Sequence, residues 1–324
     1  MTRRIPRFGE LRFHPGSEER SAWGVFGDDD ELGTLNLLSP AARRRGLDAV
    51  VDGTTYSLNW DMTLPDPTFF ERKPLKHVVI DLGDVHAGTD DRYESYYSQS
   101  STQWDALSHV GTPDGEFYNG RTERDVHDPA RLMLSIANAA ASGIAGRYVL
   151  LDIGRYRESI GRRVDNAARD IITPAELDAA LAWQGSKLEE GDILLLRTGW
   201  IEWYEGLDSA ARTSLAADSR AMRMRTPGLE SSRDSAEWIW DHGLAAVASD
   251  TPALEASPFT FDDWDGFLHY RLIPLLGLTI GEFFVLGPLA EACAVDRRYD
   301  GLLTAAPLTM RGGSGSPGNA LALR

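Results

Sequence analysis

The sequence predicts an α/β fold, and three observations carry that prediction. Residues 147–153 and 192–196 are short apolar runs set off by glycine and charge, as buried strands are. A helix start lies between them in Thr173-Pro174-Ala175-Glu176. The alternation then repeats, with a helix over 235–242 and a strand over 244–248.

Taken in order, residues 1–40 mix glycine, proline and charge around the loop Gly27-Asp28-Asp29-Asp30. They read as an irregular N-terminal arm packed on the body, and residues 41–324 as one domain. Dense β-branched and aromatic residues predict strands over 56–62 and 77–82, separated by the turn Pro65-Asp66-Pro67. At the next helix Thr173 caps, Pro174 takes the first helical position and Glu176 stands three residues after the cap, which predicts a helix ending near Gly185. The helix over 235–242 is stopped by Gly243, and the strand after it ends at Asp250-Thr251-Pro252. Asp250 and Glu255 therefore stand at a strand's carboxyl end, where α/β proteins often place ligand-binding groups, although Asp250 fits a turn cap equally well. Residues 302–310 and 320–323 flank a glycine-rich loop over 311–318 that permits close backbone approach.

Composition narrows the function. The chain has 324 residues, 42% hydrophobic and 25% charged, the ordinary balance of a globular protein. Acidic residues outnumber Lys and Arg by 49 to 33, and a net charge of -16 repels nucleic acid and anionic lipid. Cys293 is the single cysteine, so neither an internal disulfide nor a thiolate zinc cluster is available, and it is expected to be a buried small hydrophobe. The basic start Met1-Thr2-Arg3-Arg4-Ile5-Pro6-Arg7 is followed by no apolar stretch, and no run approaches the roughly 20 apolar residues of a spanning helix. A cytoplasmic protein without nucleic-acid or membrane partners is the expectation.

Chemistry concentrates between Gln99 and His109. Gln99, Ser101, Gln103, Asp105 and His109 fall on odd positions, so an extended chain turns them to one side, with Trp104, Ala106 and Ser108 on the other. A helix would instead pair Asp105 with His109 at i, i+4. The spacing alone also fits a half-buried edge strand with a solvated face. What favours a site is the company of Trp104, Ala106 and Leu107, because a carboxylate buried there needs a cation or a proton donor. His269 and Glu282 are likewise polar groups in apolar segments; each alone fits a hydrogen-bonded core or cap residue. With Asp105 they make the His and carboxylate set that zinc or manganese accepts.

Other motifs fall away. Gly313-Ser314-Gly315-Ser316-Pro317-Gly318 matches G-x-G-x-x-G, but Pro317 and the few residues beyond leave no room for a βαβ unit, so it reads as a turn. No G-x-S-x-G, P-loop or H-E-x-x-H occurs. His14, His77, His86, His127 and His242 lie beside turn residues or at element ends, are expected to be exposed, and receive no role.

At residues 99–109 the chain resembles the cyclase family that includes bacterial kynurenine formamidase and isatin hydrolase, whose signature is H-x-G-T-H-x-D-x-P-x-H. Gln99 and Gln103 stand where that signature has histidines, Ser101 and Leu107 replace its glycine and proline, and Thr102, Asp105 and His109 are retained. The run 102–109 followed by Tyr118-Asn119-Gly120 looks like a longer branch of the family in which glutamine is the habit. The similarity also takes in Trp23-Gly24, residues 29–36, 149–152, Gly191-Asp192, residues 197–200 and 312–317.

The resemblance implies a swivelling β/β/α domain with a mixed β-sheet core and flanking helices, assembled as a homo-oligomer, dimer or tetramer. It implies that Asp105, His269 and Glu282 hold a divalent metal, Zn2+ or Mn2+, and that His109 handles protons. Gln103 is a further candidate ligand, and its neutral amide oxygen points toward one ion where relatives hold two, or toward manganese. The expected activity is metal-dependent hydrolysis of an amide, imide or lactone in a small ring-bearing substrate, with Trp23, Phe26 and Trp104 lining the pocket. Two rivals stand beside it: a metal-free binding or regulatory protein, and an isomerase or lyase using Asp105 and His109 as an acid–base pair.

Overall fold

The computed structural model describes residues 5–324, so residues 1–4 of the predicted arm lie outside the described residues. Nine strands form one mixed sheet. In chain order they are β1 (Thr55–Ser57), β2 (Gln103–Asp105), β3 (Ile144–Asp152), β4 (Ile193–Arg197), β5 (Ala246–Ser249), β6 (Thr279–Glu282), β7 (Asp300–Ala305), β8 (Gly315–Pro317) and β9 (Ala320–Leu323). They lie side by side as β8-β2-β6-β5-β4-β3-β7-β9-β1. The central four, β6, β5, β4 and β3, run parallel, and the strands outside them pair antiparallel. The expected α/β architecture, a mixed sheet flanked by helices, is the one observed.

Side-chain alternation along the central strands explains why both faces are covered. Val149, Leu151, Leu194, Leu196, Val247 and Ile280 pack in one cluster with Leu177 and Leu181 of the helix Pro174–Gln184 and Ile239 of the helix Arg233–Asp241. Tyr148, Leu150, Ile193, Leu195, Ala246 and Ala248 point the other way, onto Leu289, Ala290 and Cys293 of the helix Gly287–Asp296. The predicted helix boundaries hold: the Thr173 hydroxyl accepts from the Glu176 amide, and Gly185 closes the helix in the left-handed region at φ 74°. The Glu176 carboxylate instead grips the buried Arg157 guanidinium at 2.7 and 2.8 Å.

Several expectations need correction. The strand predicted over 56–62 is only Thr55–Ser57, and of the residues 302–310 that flank the glycine-rich loop only those up to Ala305 belong to a strand. The glycine-rich stretch is not all turn: Gly315–Pro317 pairs with β2 and becomes the sheet's edge, because β2 offers it an unpaired side. Asp250 is the turn cap, accepting from the backbone of Thr198, Gly199 and Trp200. His14 is buried, not exposed, and lies edge-on to Trp23 and Trp264.

Residues 5–40 are tied down by polar bonds to the body. Ala22 donates to the Leu275 carbonyl, and the buried Glu19 carboxylate takes two bonds of 2.8 Å from the buried Arg271 guanidinium. A third cluster, with Trp60, Phe69, Trp200, Tyr204 and Phe283, fastens the segment after β1 over the carboxyl end of β6. Among the described residues no helix is long and apolar enough to cross a membrane.

Candidate metal centre

Strand periodicity builds the centre. On β2, Gln103 and Asp105 face one way and Trp104 the other, and all three are buried. Trp104 fills the core behind, edge-on to Phe284 at 4.8 Å with its Nε1 donating to the Gly318 carbonyl. Its opposite number on β6 has to be glycine: a Cβ at Gly281 would lie 2.7 Å from Ala248 and 3.0 Å from Trp104. Glu282 follows, directly across from Gln103, and the Gln103 Nε2 donates to its Oε2 at 2.6 Å. Phe283, next in line, adopts φ 56°, a strained conformation for a bulky residue, and turns the chain away at that point.

His269 arrives from the short helix His269–Leu272. Its Nδ1 hydrogen-bonds Oε1 of the buried Glu255 at 2.9 Å and lies 2.8 Å from Oε2, which leaves Nε2 facing Glu282 Oε1 at 3.3 Å and Asp105 Oδ2 at 3.8 Å. One donor atom each from Asp105, His269 and Glu282 lies within 4.8 Å of the others. Asp105 Oδ2 and Gln103 Oε1 are buried acceptors with no hydrogen-bond partner among the described residues. Such orphaned oxygens are costly unless a cation completes them. Two carboxylates, one imidazole and one amide oxygen are a donor set that a divalent ion fits.

Titration follows from the crowding. Burial raises the Glu282 pKa to about 7, and the nearby Asp105 and Glu255 charges push the same way against the His269 hydrogen bond. Burial would lower His269, but Glu255 and Glu282 outweigh it and hold the ring well above its usual value. His109 goes down, because burial outweighs the attraction of Asp105. Its Nε2 stands 3.8 Å from Asp105 Oδ1, its Nδ1 is 3.1 Å from the Gln99 amide nitrogen, and the ring keeps 27% exposure. Gln99 Nε2 also donates to Asp105 Oδ1 at 2.6 Å, so one amide aligns both residues.

The structure thus gathers Asp105, His109, His269, Glu282 and Gln103. It does not bring the predicted pocket aromatics to them. Trp104 is core; Trp23 packs on His14 and donates to the Pro274 carbonyl; Phe26 lies against Trp240. Among the described residues the aromatic ring stacked on His269 is Phe267, at 4.4 Å and 2°. Three further residues escaped prediction. Glu255 was marked only by its place after a strand, Gln99 by its place on the polar face and in the motif but with no role, and Arg72 by nothing. Arg72 donates to the Gln99 carbonyl, and its charge acts on Asp105, Glu282 and His109.

A family model described as Putative cyclase matches residues 46–256. The chain belongs to this cyclase family. The match spans Gln99, Gln103, Asp105, His109 and Glu255; His269 and Glu282 lie beyond it. A crystal structure described as a novel cyclase is 34% identical, with a TM-score of 0.82, and covers 94% of this chain and 99% of that one. Isatin hydrolase A from Ralstonia solanacearum shares the fold at 19% identity and TM-score 0.60, over 87% of this chain and 94% of that one. Isatin hydrolase A from Labrenzia aggregata, solved bound to benzyl benzoate, does so at 18% and 0.56, over 85% and 94%. Comparison with curated proteins finds no match.

Proposed function

We propose that this cyclase-family chain is a metal-dependent hydrolase that opens an amide, imide or lactone bond of a small ring-bearing molecule. The observation that carries the reading is the convergence of Asp105, His269 and Glu282 beside two buried oxygens without donors. Asp105 Oδ2, His269 Nε2, a Glu282 oxygen and Gln103 Oε1 would hold the ion. A divalent ion in such a set supplies Lewis-acid polarisation of a carbonyl and a water acidified toward neutrality. Three oxygen donors to one nitrogen favour Mn2+ over Zn2+.

The remaining chemistry belongs to the chain. Glu255 keeps His269 turned with Nε2 inward. His109, partly open to solvent and lowered toward neutral character, moves a proton between water and the leaving nitrogen or oxygen. Gln99 holds His109 against Asp105 so that this transfer occurs beside the ion's position. The same reading takes a small molecule, not nucleic acid or membrane, as partner, places a single catalytic domain over 41–324 in a cytoplasmic homo-oligomer, and makes the arm its cover.

Elemental analysis of the purified protein, joined to a screen of cyclic imides, lactones and N-formyl aryl amines in labelled water, tests the proposal. The expected result is bound divalent metal, chelator-sensitive turnover and one labelled oxygen in the product. Full activity without metal, or an unlabelled isomerised product, would overturn it.

A further inference from the structure

Arg72 is held beside the centre by an anchored turn. Phe70 and Glu71 before it both adopt left-handed backbone, at φ 53° and 62°, a costly pair for side-chain-bearing residues. Phe69 is buried, the Phe70 amide is fixed by the Ser219 hydroxyl at 3.0 Å, and the Thr68 hydroxyl donates to the Arg72 carbonyl at 2.5 Å. This strained, anchored turn sets the guanidinium 5.3 Å over the Phe70 ring and against the Gln99 carbonyl. Gln99 is the residue whose amide clamps Asp105 and His109, so the guanidinium stands at the edge of the metal centre.

No carboxylate among the described residues pairs with it directly. Among the described residues no carboxylate oxygen lies within 4.0 Å of Arg72, and only one of its five N–H donors has a protein acceptor. Asp105 and Glu282 would not serve as its counter-ions with a divalent cation bound between them, since that ion would take up both negative charges. A cation fixed beside a divalent ion's site repels that ion unless a further anion enters. The guanidinium is partly buried; burial pulls its pKa down while the more distant Glu282 and Asp105 charges pull it up.

A run of rings leads from this cation to the metal ligand. Phe70 lies 6.4 Å from Phe259, Phe259 lies 4.9 Å from Phe267, and Phe267 stacks on His269 at 4.4 Å. An apolar wall thus has an anion anchor at one end and the reacting centre at the other. We propose that Arg72 is the anion-binding residue of this site, and that the substrate is an aromatic acyl compound carrying a carboxylate apart from the bond that is broken. This rests on the hydrolase reading for the broken bond, though not for the anion.

Calorimetric titration of the Mn2+-loaded protein with benzoate and with benzamide tests it, in the native chain, Arg72→Met and Arg72→Lys, with metal content and melting temperature recorded for each. Native protein should prefer benzoate at least tenfold. Arg72→Met should lose roughly 10- to 100-fold of benzoate affinity, the range for a lost charge-assisted pair, while benzamide binding and metal content stay unchanged. Arg72→Lys should keep part of the preference, which shows that loss in the methionine variant is loss of charge and not of folding. No benzoate preference in the native protein, or equal benzoate affinity in Arg72→Met, overturns the proposal. If metal and hydrolysis are absent but the benzoate difference holds, the hydrolase reading fails and the anion site stands.

Discussion

Glu255→Gln isolates the contribution of one buried charge to the centre. Glu255 is fully buried and lies 2.8 to 2.9 Å from His269 Nδ1. The substitution keeps an acceptor of the same size and removes the charge that favours a proton on Nδ1 and electron density on Nε2. Coulomb attraction of unit charges near 4 Å is at most ~4 kcal/mol at an effective dielectric of 20, and the amide acceptor recovers part of it. Loss of an orienting partner of this kind lowers metal affinity about 10- to 100-fold, or ~1.4–2.7 kcal/mol. Proton competition changes the size with pH. In the metal-free native protein Glu255 raises the His269 pKa, so below that pKa an entering ion must displace the Nε2 proton; removing Glu255 lowers that cost. The deficit should therefore be greatest in alkaline solution and shrink toward acid. Competition titration with a chromophoric chelator across pH measures it. Equal affinities for native and variant protein in alkaline solution would refute the reasoning.

Other outcomes follow from the same geometry. His109→Ala should lower kcat roughly 100- to 10,000-fold with bound metal unchanged by elemental analysis, the effect of removing a proton-transfer group and not a ligand. Gly315→Ala places a Cβ 2.6 Å from Gln99 Cγ and Cδ, so the amide must move off Asp105 and His109; kcat should fall about 10- to 100-fold in steady-state assays while the melting temperature changes little. Glu19→Gln removes one of the two carboxylates paired with the buried Arg271, leaving the exposed Asp265 at 2.8 Å, and should cost roughly 1.5–3 kcal/mol in denaturant unfolding. Although burial opposes its ionisation, Arg271 and Arg233 hold the Glu19 pKa below 4.5, so its contribution is present above that value and is lost as pH falls through the lowered one. The native–variant difference should therefore narrow in acid. Elemental analysis should give one divalent ion per chain.

What was legible in the sequence was local. Thr173, Pro174 and Gly185 fix a helix by their own backbone chemistry, and the apolar runs of β4 and β5 need only be short and flanked by turns. Strand β8 was not legible, because Gly315–Pro317 is extended only where β2 lies alongside it. Within the site, Asp105 and His109 stood out through spacing and apolar company, whereas His269 and Glu282 gained meaning chiefly from the family resemblance. Trp104 was misplaced although the alternation that put Asp105 on one face already put its neighbour on the other. Glu255 and Arg72 act through chain closures that no local pattern encodes. The pairing of Glu255 with His269 spans 14 residues of irregular chain, and Arg72 reaches the centre only because Phe69 is anchored in a core cluster.

The two glutamines show how one altered motif divides its labour. Gln103 sits across from Glu282 and spends its amide hydrogens there, so its oxygen is the atom left facing inward, unpaired and buried. Gln99 presents the opposite end of the same group: its nitrogen, a donor, lies against Asp105 Oδ1 and His109 Nδ1. A donor cannot ligate a cation, and it occupies the carboxylate oxygen that a second ion would need to share. Only Asp105 Oδ2 remains available, on the side of His269 and Glu282. Replacing both motif histidines by glutamine therefore does not simply weaken a two-ion site. On the proposed reading it makes one position an oxygen ligand and the other a clamp on the proton-transfer residue, so that a single ion beside an aligned histidine is the arrangement to expect.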